Sequence, residues 1–162
     1  MNKYIFLDID GVLNSKEWFG RNKSVTGFAE INPDKVRLLK EIVSRTGAKI
    51  ILSSTWRSLS TCGDELGHAM YTYLINSLKE FGLSILDHTP DIQQNRPQEI
   101  KAWLENNITE GDRYVSLDDD YSYEAYKECG IGECLVKTSF YKPDGGLRRE
   151  HVKQAIKILN GE

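Results

Sequence analysis

Five short runs of apolar, β-favouring residues alternate with longer segments of helical periodicity, and this alternation limits the possible folds more than anything else in the sequence. The predicted strands are Tyr4–Leu7, Ile50–Leu52, Leu83–Leu86, Tyr114–Leu117 and Cys134–Lys137. The predicted helices are Pro33–Arg45, Leu66–Phe81, Pro97–Asn106, Tyr121–Glu128 and Leu147–Leu159. Strands that are separated by helices form parallel sheets with helices on both faces. We therefore expect one α/β domain over residues 1–162, a three-layer α/β/α sandwich with a five-stranded, mostly parallel, Rossmann-like sheet.

Length and composition exclude several classes of protein. A chain of 162 residues buries roughly 70% of its unfolded surface, which is enough for a core without disulfide or zinc staples. Three cysteines are too few for a disulfide framework or a complete zinc site. The formal net charge of −3 gives no general attraction to nucleic acid or membranes, and it identifies no partner. Without a signal peptide or a run of ~20 apolar residues, we expect a soluble, cytoplasmic protein.

Five aspartates directly follow two of the predicted strands. They are Asp8 and Asp10 after the first strand, and Asp118, Asp119 and Asp120 after the fourth. Because the carboxyl ends of parallel strands share one edge of the sheet, we expect these carboxylates to converge, with Gly11 making the sharp turn. Close carboxylates repel one another unless a cation or a shared proton compensates, and Mg²⁺ prefers oxygen ligands. The sequence predicts a Mg²⁺ site; the alternatives are an ordinary Asp-Gly turn and helix capping by Asp119 or Asp120.

Two further polar segments follow the second and third predicted strands. Ser53 and Ser54 end the second strand, where hydroxyls and backbone N–H groups bind phosphate oxygens or cap a helix, and Arg57 can add a charge-assisted contact. Pro97 suits the first position of a helix, which puts Arg96 at the N-cap, where a cation is unfavourable. A bound anion would offset that cost. The alternative for Arg96 is a side chain extended into solvent.

Taken together, these segments resemble the four motifs of the haloacid dehalogenase-like (HAD) superfamily of Mg²⁺-dependent phosphohydrolases. The matching segments are Asp8-Ile9-Asp10-Gly11-Val12, Ser53 or Ser54, Arg96, and Leu117-Asp118-Asp119. The resemblance covers about Met1 to Asp120, and within the superfamily the chain is similar to compact domains found in RNA-repair proteins. The third motif is often lysine, so Arg96 departs from the common pattern.

The resemblance implies a phosphatase that works through an aspartyl-phosphate. Asp8 is then the nucleophile and Asp10 the general acid and base. The implied Mg²⁺ ligands are Asp8, the Asp10 backbone carbonyl, Asp118, and Asp119 directly or through water. Ser54 and Arg96 hold the phosphoryl oxygens; Ser54 is chosen over Ser53 because its spacing from Trp56 matches the related pattern better.

Two alternative functions use similar residues. A receiver domain is also a parallel α/β fold phosphorylated on an aspartate, and its phosphoacceptor would be Asp87 after the third strand. An inactive domain that binds a phosphorylated partner would need neither Asp8 nor Asp10. The stretches between residues 14 and 49 and between residues 57 and 96 leave no room for a cap domain. We therefore expect an open site, suited to a phosphate on a nucleic-acid end, a protein or an exposed small molecule, or a site closed by another subunit.

Two of the three tryptophans, Trp18 and Trp56, have two interpretations each. Trp18 lies in a segment that forms a flap in such folds and precedes a predicted loop, Phe19–Glu30. Trp18 and Trp56 either stack on a base or an aromatic leaving group, or pack in the core or at its rim. We favour packing for both of them and for Trp103.

Overall fold

The five strands pair in parallel in a single sheet. The computed structural model describes residues 1–22 and 28–162. The strands are β1 (Lys3–Leu7), β2 (Lys49–Leu52), β3 (Ile85–His88), β4 (Arg113–Asp118) and β5 (Leu135–Lys137). Their order is β3-β2-β1-β4-β5, and every neighbouring pair is parallel. This confirms the expected α/β class and makes the sheet all-parallel.

Helices cover both faces of the sheet. They are α1 (Lys16–Arg21), α2 (Pro33–Thr46), α3 (Glu65–Lys79), α4 (Arg96–Asn107), α5 (Tyr123–Glu128) and α6 (Arg149–Asn160), with short 3₁₀ helices at Thr55–Ser60 and Gly132–Cys134. Alternate residues of β1 enter two separate cores: Ile5 and Leu7 pack with α2, α3 and α6, whereas Tyr4 and Phe6 pack with α4 and α5. Since successive strand residues point to opposite faces, the two cores lie on opposite sides of the sheet.

The third strand lies two residues later than predicted. The apolar run Leu83–Leu86 favours a strand, but the chain is still completing the end of α3 there. The Leu83 N–H donates to the Leu78 carbonyl, and Gly82 has a φ of +68°. The strand begins only after this closure, as β3, which runs on to His88.

Among the α-helices, α1 was not predicted. Ser15 caps α1, and its side chain accepts a hydrogen bond from the Trp18 N–H at 3.2 Å. This six-residue helix is too short to show a clear apolar period. It occupies the start of the loop expected over Phe19–Glu30, of which residues 23–27 lie outside the described part of the chain.

The strand order contradicts the receiver alternative. A receiver sheet has the order 2-1-3-4-5, which places the third strand beside the first. Here β2 separates β3 from β1, and β3 is an edge strand. Asp87 lies on that edge strand, and its Oδ2 accepts a hydrogen bond from Trp103 Nε1 at 2.7 Å. Asp87 is therefore not the phosphoacceptor of a receiver site.

The connections leave the carboxyl edge of the sheet without a cap domain in the described residues. Between residues 14 and 49 these contain α1 and α2, and between residues 57 and 96 they contain the rest of the first 3₁₀ helix, α3 and β3. Within the described residues, every helix is too short or too polar to cross a membrane.

Candidate active site

Three aspartate carboxylates meet beyond the carboxyl ends of β1 and β4. One oxygen from each of Asp8, Asp118 and Asp119 lies within 4.8 Å of the others. The two strands are neighbours, with Leu7 paired to Leu117, so the residues that follow them fall side by side. Asp8 and Asp118 are buried, and Asp119 is partly buried. The structure thus brings together three of the five predicted aspartates.

The guanidinium of Arg96 lies between two of these carboxylates. Its Nη1 donates to Asp8 Oδ2 at 2.7 Å and to Asp118 Oδ1 at 3.0 Å. The side chain is buried, which contradicts the solvent-exposed alternative. The predicted N-cap position is also wrong by one residue. Asn95 is the N-cap, because its amide oxygen can accept from the Gln98 N–H, at 3.3 Å, as an arginine cannot.

The site carries more negative charge than Arg96 offsets. Burial raises the pKa of Asp8 to about 7; the Arg96 charge opposes this rise and Asp118 adds to it. Burial, followed by the charge of Asp118, raises the pKa of Asp119 to about 6. Burial also acts to lower the pKa of Arg96, but the attraction of Asp8 and Asp118 outweighs it and raises that pKa. A divalent cation would relieve the remaining repulsion.

Only glycine fits the turn that follows β1. Gly11 has a φ of +76°, and a Cβ atom there would lie 2.1 Å from Asp119 Cγ. The Gly11 carbonyl accepts from Thr138 Oγ1 at 2.6 Å, and the Gly11 N–H donates to Asn14 Oδ1 at 2.8 Å. These bonds hold the turn against Asp119. Gly11 therefore allows a close approach to Asp119 in addition to the predicted turn.

The Asp10 side chain does not join the three clustered carboxylates. Its Oδ1 accepts from Asn14 Nδ2 at 2.8 Å, and its Oδ2 accepts from Trp56 Nε1 at 3.0 Å. The expectation of convergence with Asp8 assumed an extended chain, but β1 ends at Leu7 and a turn begins at Asp10. The Asp10 carboxylate therefore points to partners of its own.

Asp120 also stays outside the cluster. It is exposed, and its N–H donates to Asp118 Oδ1 at 2.8 Å. The prediction that Asp119 or Asp120 caps the following helix is wrong, since Ser122 caps α5 and accepts from the Ala125 N–H at 3.2 Å.

The two serines after β2 have different surroundings. Ser54 is the N-cap of the 3₁₀ helix, and its Oγ accepts from the Trp56 N–H at 3.3 Å. Ser53 Oγ is buried, with no hydrogen-bond partner in the part of the chain that the structure describes. The Ser53 N–H donates to the Leu7 carbonyl at 2.9 Å, which places Ser53 beside the Leu7–Asp8 peptide. Both serines therefore lie at the same edge as Asp8.

Arg57 holds two segments together through a buried ion pair that the sequence patterns did not indicate. Its Nη2 lies 2.9 Å from Glu99 Oε1, and its Nη1 donates to the Ser54 carbonyl at 3.0 Å. Glu99 is 1% exposed and also accepts from the Ile92 N–H at 3.0 Å. Arg57 thus joins the segment after β2 to the start of α4, in place of the phosphate contact considered from the sequence.

Two more residues that support the aspartates were not predicted. Tyr126 Oη donates to Asp118 Oδ2 at 2.8 Å and contacts Ser116 Oγ at 2.7 Å. Lys137 Nζ donates to the Asp119 carbonyl. Tyr126 lies on a six-residue helix, where no periodic pattern marks a buried position.

Two of the three tryptophans, Trp56 and Trp103, pack in the cores. Trp56 is 5% exposed within the first core, which confirms the packing interpretation. Trp103 packs edge-on against Tyr4 and Phe6 in the second core. Trp18 is partly buried, and its Nε1 donates to the Ala29 carbonyl at 2.6 Å.

A small cavity adjoins the site on its β5 side. Its volume is about 180 Å³, and its lining includes Asp119, Lys142 and Arg148. A larger cavity of about 700 Å³ is lined by Arg113 and Ile158 among others. Arg113 begins β4, so that cavity lies at the amino end of the sheet, away from the carboxylates.

Comparisons with known proteins show the family of this chain and a similar fold. A family model described as the HAD domain in Swiss Army Knife RNA repair proteins matches residues 4–152. A search of curated proteins finds no significant match. Among solved structures, the chain is similar to a D,D-heptose 1.7-bisphosphate phosphatase from B. bronchiseptica complexed with magnesium and phosphate. The identity is 16% and the TM-score 0.50, over 100% of this chain and 87% of that one, which is a similarity of fold. Because the family model spans nearly the whole chain, including all four strand-end motifs, the chain belongs to the family of HAD domains of Swiss Army Knife RNA repair proteins.

Proposed function

We propose that this chain is a Mg²⁺-dependent phosphatase that hydrolyses a phosphate monoester through an aspartyl-phosphate. The observation that carries the proposal is the cluster of Asp8, Asp118 and Asp119, with oxygens within 4.8 Å of one another beside the buried Arg96. Membership of the HAD family and the fold similarity to a phosphatase solved with magnesium and phosphate support the general class.

Mg²⁺ fits the donor set of this cluster. The ion takes oxygen ligands, and it is usually held by one or two carboxylates together with substrate phosphate and water. Asp8, Asp118 and Asp119 would hold it, with the Asp10 carbonyl as a fourth protein ligand. When bound, Mg²⁺ neutralises charge on the carboxylates and on the phosphoryl oxygens.

The chain's own residues supply the two chemical steps. A carboxylate oxygen of Asp8 attacks phosphorus in line, and the bond from phosphorus to the leaving oxygen breaks as Asp10 gives that oxygen a proton. Water then attacks the phosphorus of the aspartyl-phosphate and gives its proton to Asp10, and the bond between phosphorus and the Asp8 oxygen breaks. Arg96 stabilises the charge that the three phosphoryl oxygens carry during both steps.

A serine at the end of β2 would bind the phosphoryl oxygens. Ser54 remains our proposed ligand, because a hydroxyl that accepts from the Trp56 N–H still has its own proton to donate. Ser53 is the alternative, since its buried hydroxyl has no partner in the described residues.

We propose a phosphorylated nucleic-acid end, most of all an RNA end, as the substrate. No cap domain covers the site in the described residues, so a bulky leaving group can approach. Tyr141, 76% exposed, packs edge-on against Phe140 after β5, with Lys16 over its ring. Exposed aromatic rings beside cations bind the bases of single strands. The family's occurrence in RNA-repair proteins supports this choice over protein or small-molecule phosphates, and a cytoplasmic location stays a prediction.

The function is tested by a hydrolysis screen with and without Mg²⁺. We expect turnover of an aryl phosphate that EDTA abolishes and excess Mg²⁺ restores. Among 5′- and 3′-phosphorylated oligoribonucleotides, nucleotides, sugar phosphates and phosphopeptides, we expect kcat/KM to be at least ~10-fold higher for an oligoribonucleotide, since stacking adds ~1–3 kcal/mol per base. Turnover that is insensitive to EDTA contradicts the metal site. Tight binding of a phosphorylated oligonucleotide without turnover supports the inactive binding domain instead.

Mg²⁺ should stabilise the protein more at about pH 8 than at about pH 5. The pKa of Asp8 is raised from 3.8 to about 7, so the metal-free folded protein holds a proton there that the unfolded chain has lost. Its contribution to stability therefore falls as the pH rises between these two values. Mg²⁺ needs the deprotonated form, so its stabilising effect grows over the same interval.

Thermal unfolding at both pH values, with Mg²⁺ or with Na⁺ at matched ionic strength, measures this effect. An equal rise of Tm at the two pH values would contradict proton-linked binding at Asp8.

A further inference from the structure

We propose that Trp56 and Asn14 are positioning residues that fix the carboxylate of Asp10 for proton transfer, an inference that rests on the proposed function. The indole Nε1 of Trp56 donates to Asp10 Oδ2 at 3.0 Å. The amide Nδ2 of Asn14 donates to Asp10 Oδ1 at 2.8 Å. Each carboxylate oxygen thus has its own donor, and together the two bonds set both the direction and the rotation of the group.

Burial distinguishes these donors from ordinary surface contacts. Asp10 is exposed, so its side chain would sample several rotamers if it were unsupported. Trp56 is 5% exposed and Asn14 is fully buried. Buried N–H donors are costly to leave unpaired, and both of these bond to Asp10. Two buried residues therefore hold the carboxylate of an exposed one.

Both donors are themselves held by the site's other motifs. Asn14 Oδ1 accepts from the Gly11 N–H at 2.8 Å, so one amide side chain braces the turn and the Asp10 carboxylate together. The Trp56 N–H donates to Ser54 Oγ at 3.3 Å. Asp10 is thus tied through Trp56 to the segment that would bind the phosphoryl group, which couples the position of the acid to that of the substrate.

The arrangement leaves Asp10 free to exchange a proton. A carboxylate oxygen has two lone pairs, and each oxygen of Asp10 uses one for its donor. The other remains for the leaving group or for water. General acid and base catalysis needs a carboxylate that is held in place and still has a free lone pair. The reacting oxygens must come within about 2.6–3.2 Å of each other.

The test uses the dependence of the rate on the leaving group. An alkyl phosphate needs its leaving oxygen protonated, whereas a dinitrophenyl phosphate has a stable leaving anion. In Trp56→Phe, which keeps the ring packing and removes the N–H, we expect kcat/KM to fall ~30- to 100-fold for the alkyl ester and less than ~3-fold for the aryl ester. In an Asp10→Asn background, Trp56→Phe should lower kcat/KM for the alkyl ester little further, because the side chain that Trp56 positions can no longer transfer a proton.

Trp103→Phe is the matched control. Trp103 is also 5% exposed, and its Nε1 also donates to a carboxylate, that of Asp87, at 2.7 Å, but in the other core. We expect Trp103→Phe to leave kcat/KM unchanged for both esters. An equal loss on both esters in Trp56→Phe, or the same loss in the Asp10→Asn background, overturns the proposal.

A second variant covers the case in which Trp56→Phe does not fold. Asn14→Asp keeps the shape and the oxygen that accepts from Gly11, and puts an acceptor where the Nδ2 donor was. It should lower the rate for the alkyl ester selectively, and a uniform loss counts against the proposal. The proposed function fails separately, if the unaltered protein hydrolyses neither ester with Mg²⁺.

Discussion

Replacing Asp8 by asparagine is expected to lower phosphatase turnover at least ~10⁴-fold, because a neutral amide cannot attack phosphorus and form the aspartyl-phosphate. The fold should tolerate the change, since Asp118 still accepts from Arg96 at 3.0 Å and one of three crowded carboxylates loses its charge. The rate of aryl phosphate hydrolysis measures the loss. An acid quench with labelled substrate should trap a phosphorylated protein for the unaltered chain and none for the variant.

Asp87→Asn is the control for this experiment. Asp87 lies on the edge strand β3 and accepts from Trp103 Nε1, outside the carboxylate cluster. We expect it to retain turnover and phosphoprotein formation. If Asp8→Asn turned over as fast as Asp87→Asn, Asp8 would not be the nucleophile.

Arg96→Met should damage both activity and stability. The substitution removes the charge that Asp8 and Asp118 share at 2.7 and 3.0 Å and leaves two carboxylates buried beside each other. Breaking a buried ion pair from one side costs about 3–5 kcal/mol. The cost should shrink in acid, where Asp8, whose pKa burial raises to about 7, takes up a proton. Loss of the charge that faces the phosphoryl oxygens should lower kcat/KM ~10²- to 10³-fold.

Urea unfolding at about pH 8 and about pH 5, together with aryl phosphate kinetics, measures these effects. Arg149→Met is the control, because Arg149 is largely exposed in its ion pair with Glu41, and surface pairs contribute within about 1 kcal/mol. Arg96→Lys keeps the charge and should restore part of the activity. Equal stability and activity of Arg96→Met and Arg149→Met would contradict the role of Arg96.

The parts of the site that could be predicted follow from one topological rule. Once the alternating strands and helices indicate a parallel sheet, residues that directly follow its strands must share an edge. This rule located Asp8, Asp118 and Asp119 before any contact was known. It gave no orientation, and so it did not show that the Asp10 carboxylate bonds to Asn14 and Trp56 instead of joining the other three.

The residues that support the site could not be found in this way. Trp56 and Tyr126 have the side chains of core residues, and their polar groups matter only through partners elsewhere in the chain: Asp10, 46 residues from Trp56, and Asp118, eight from Tyr126. Glu99 lies in the first turn of α4, where an acidic side chain interacts favourably with the helix dipole. Its position in the sequence therefore did not indicate that it pairs with Arg57. Such pairings depend on tertiary packing, which local patterns do not encode.

Arg96 was predicted correctly as a site residue, but from a wrong position at the helix N-cap. Its supposed N-cap position would have been unfavourable, and that cost indicated a special role. In the structure Asn95 takes the cap, and Arg96 begins the helix, with its side chain turned to the carboxylates. The electrostatic reason for its place is the pair of aspartates, Asp8 and Asp118.

The three clustered carboxylates also affect how the sequence of this domain can evolve. Burial raises the pKa of Asp8 to about 7 and that of Asp119 to about 6, so the charges of these two carboxylates oppose folding. Natural proteins tolerate such losses where activity requires them. A selection for thermal stability alone, without Mg²⁺ and without a demand for turnover, would therefore favour neutral residues at Asp8 or Asp119. The most stable descendants of this domain would be inactive ones.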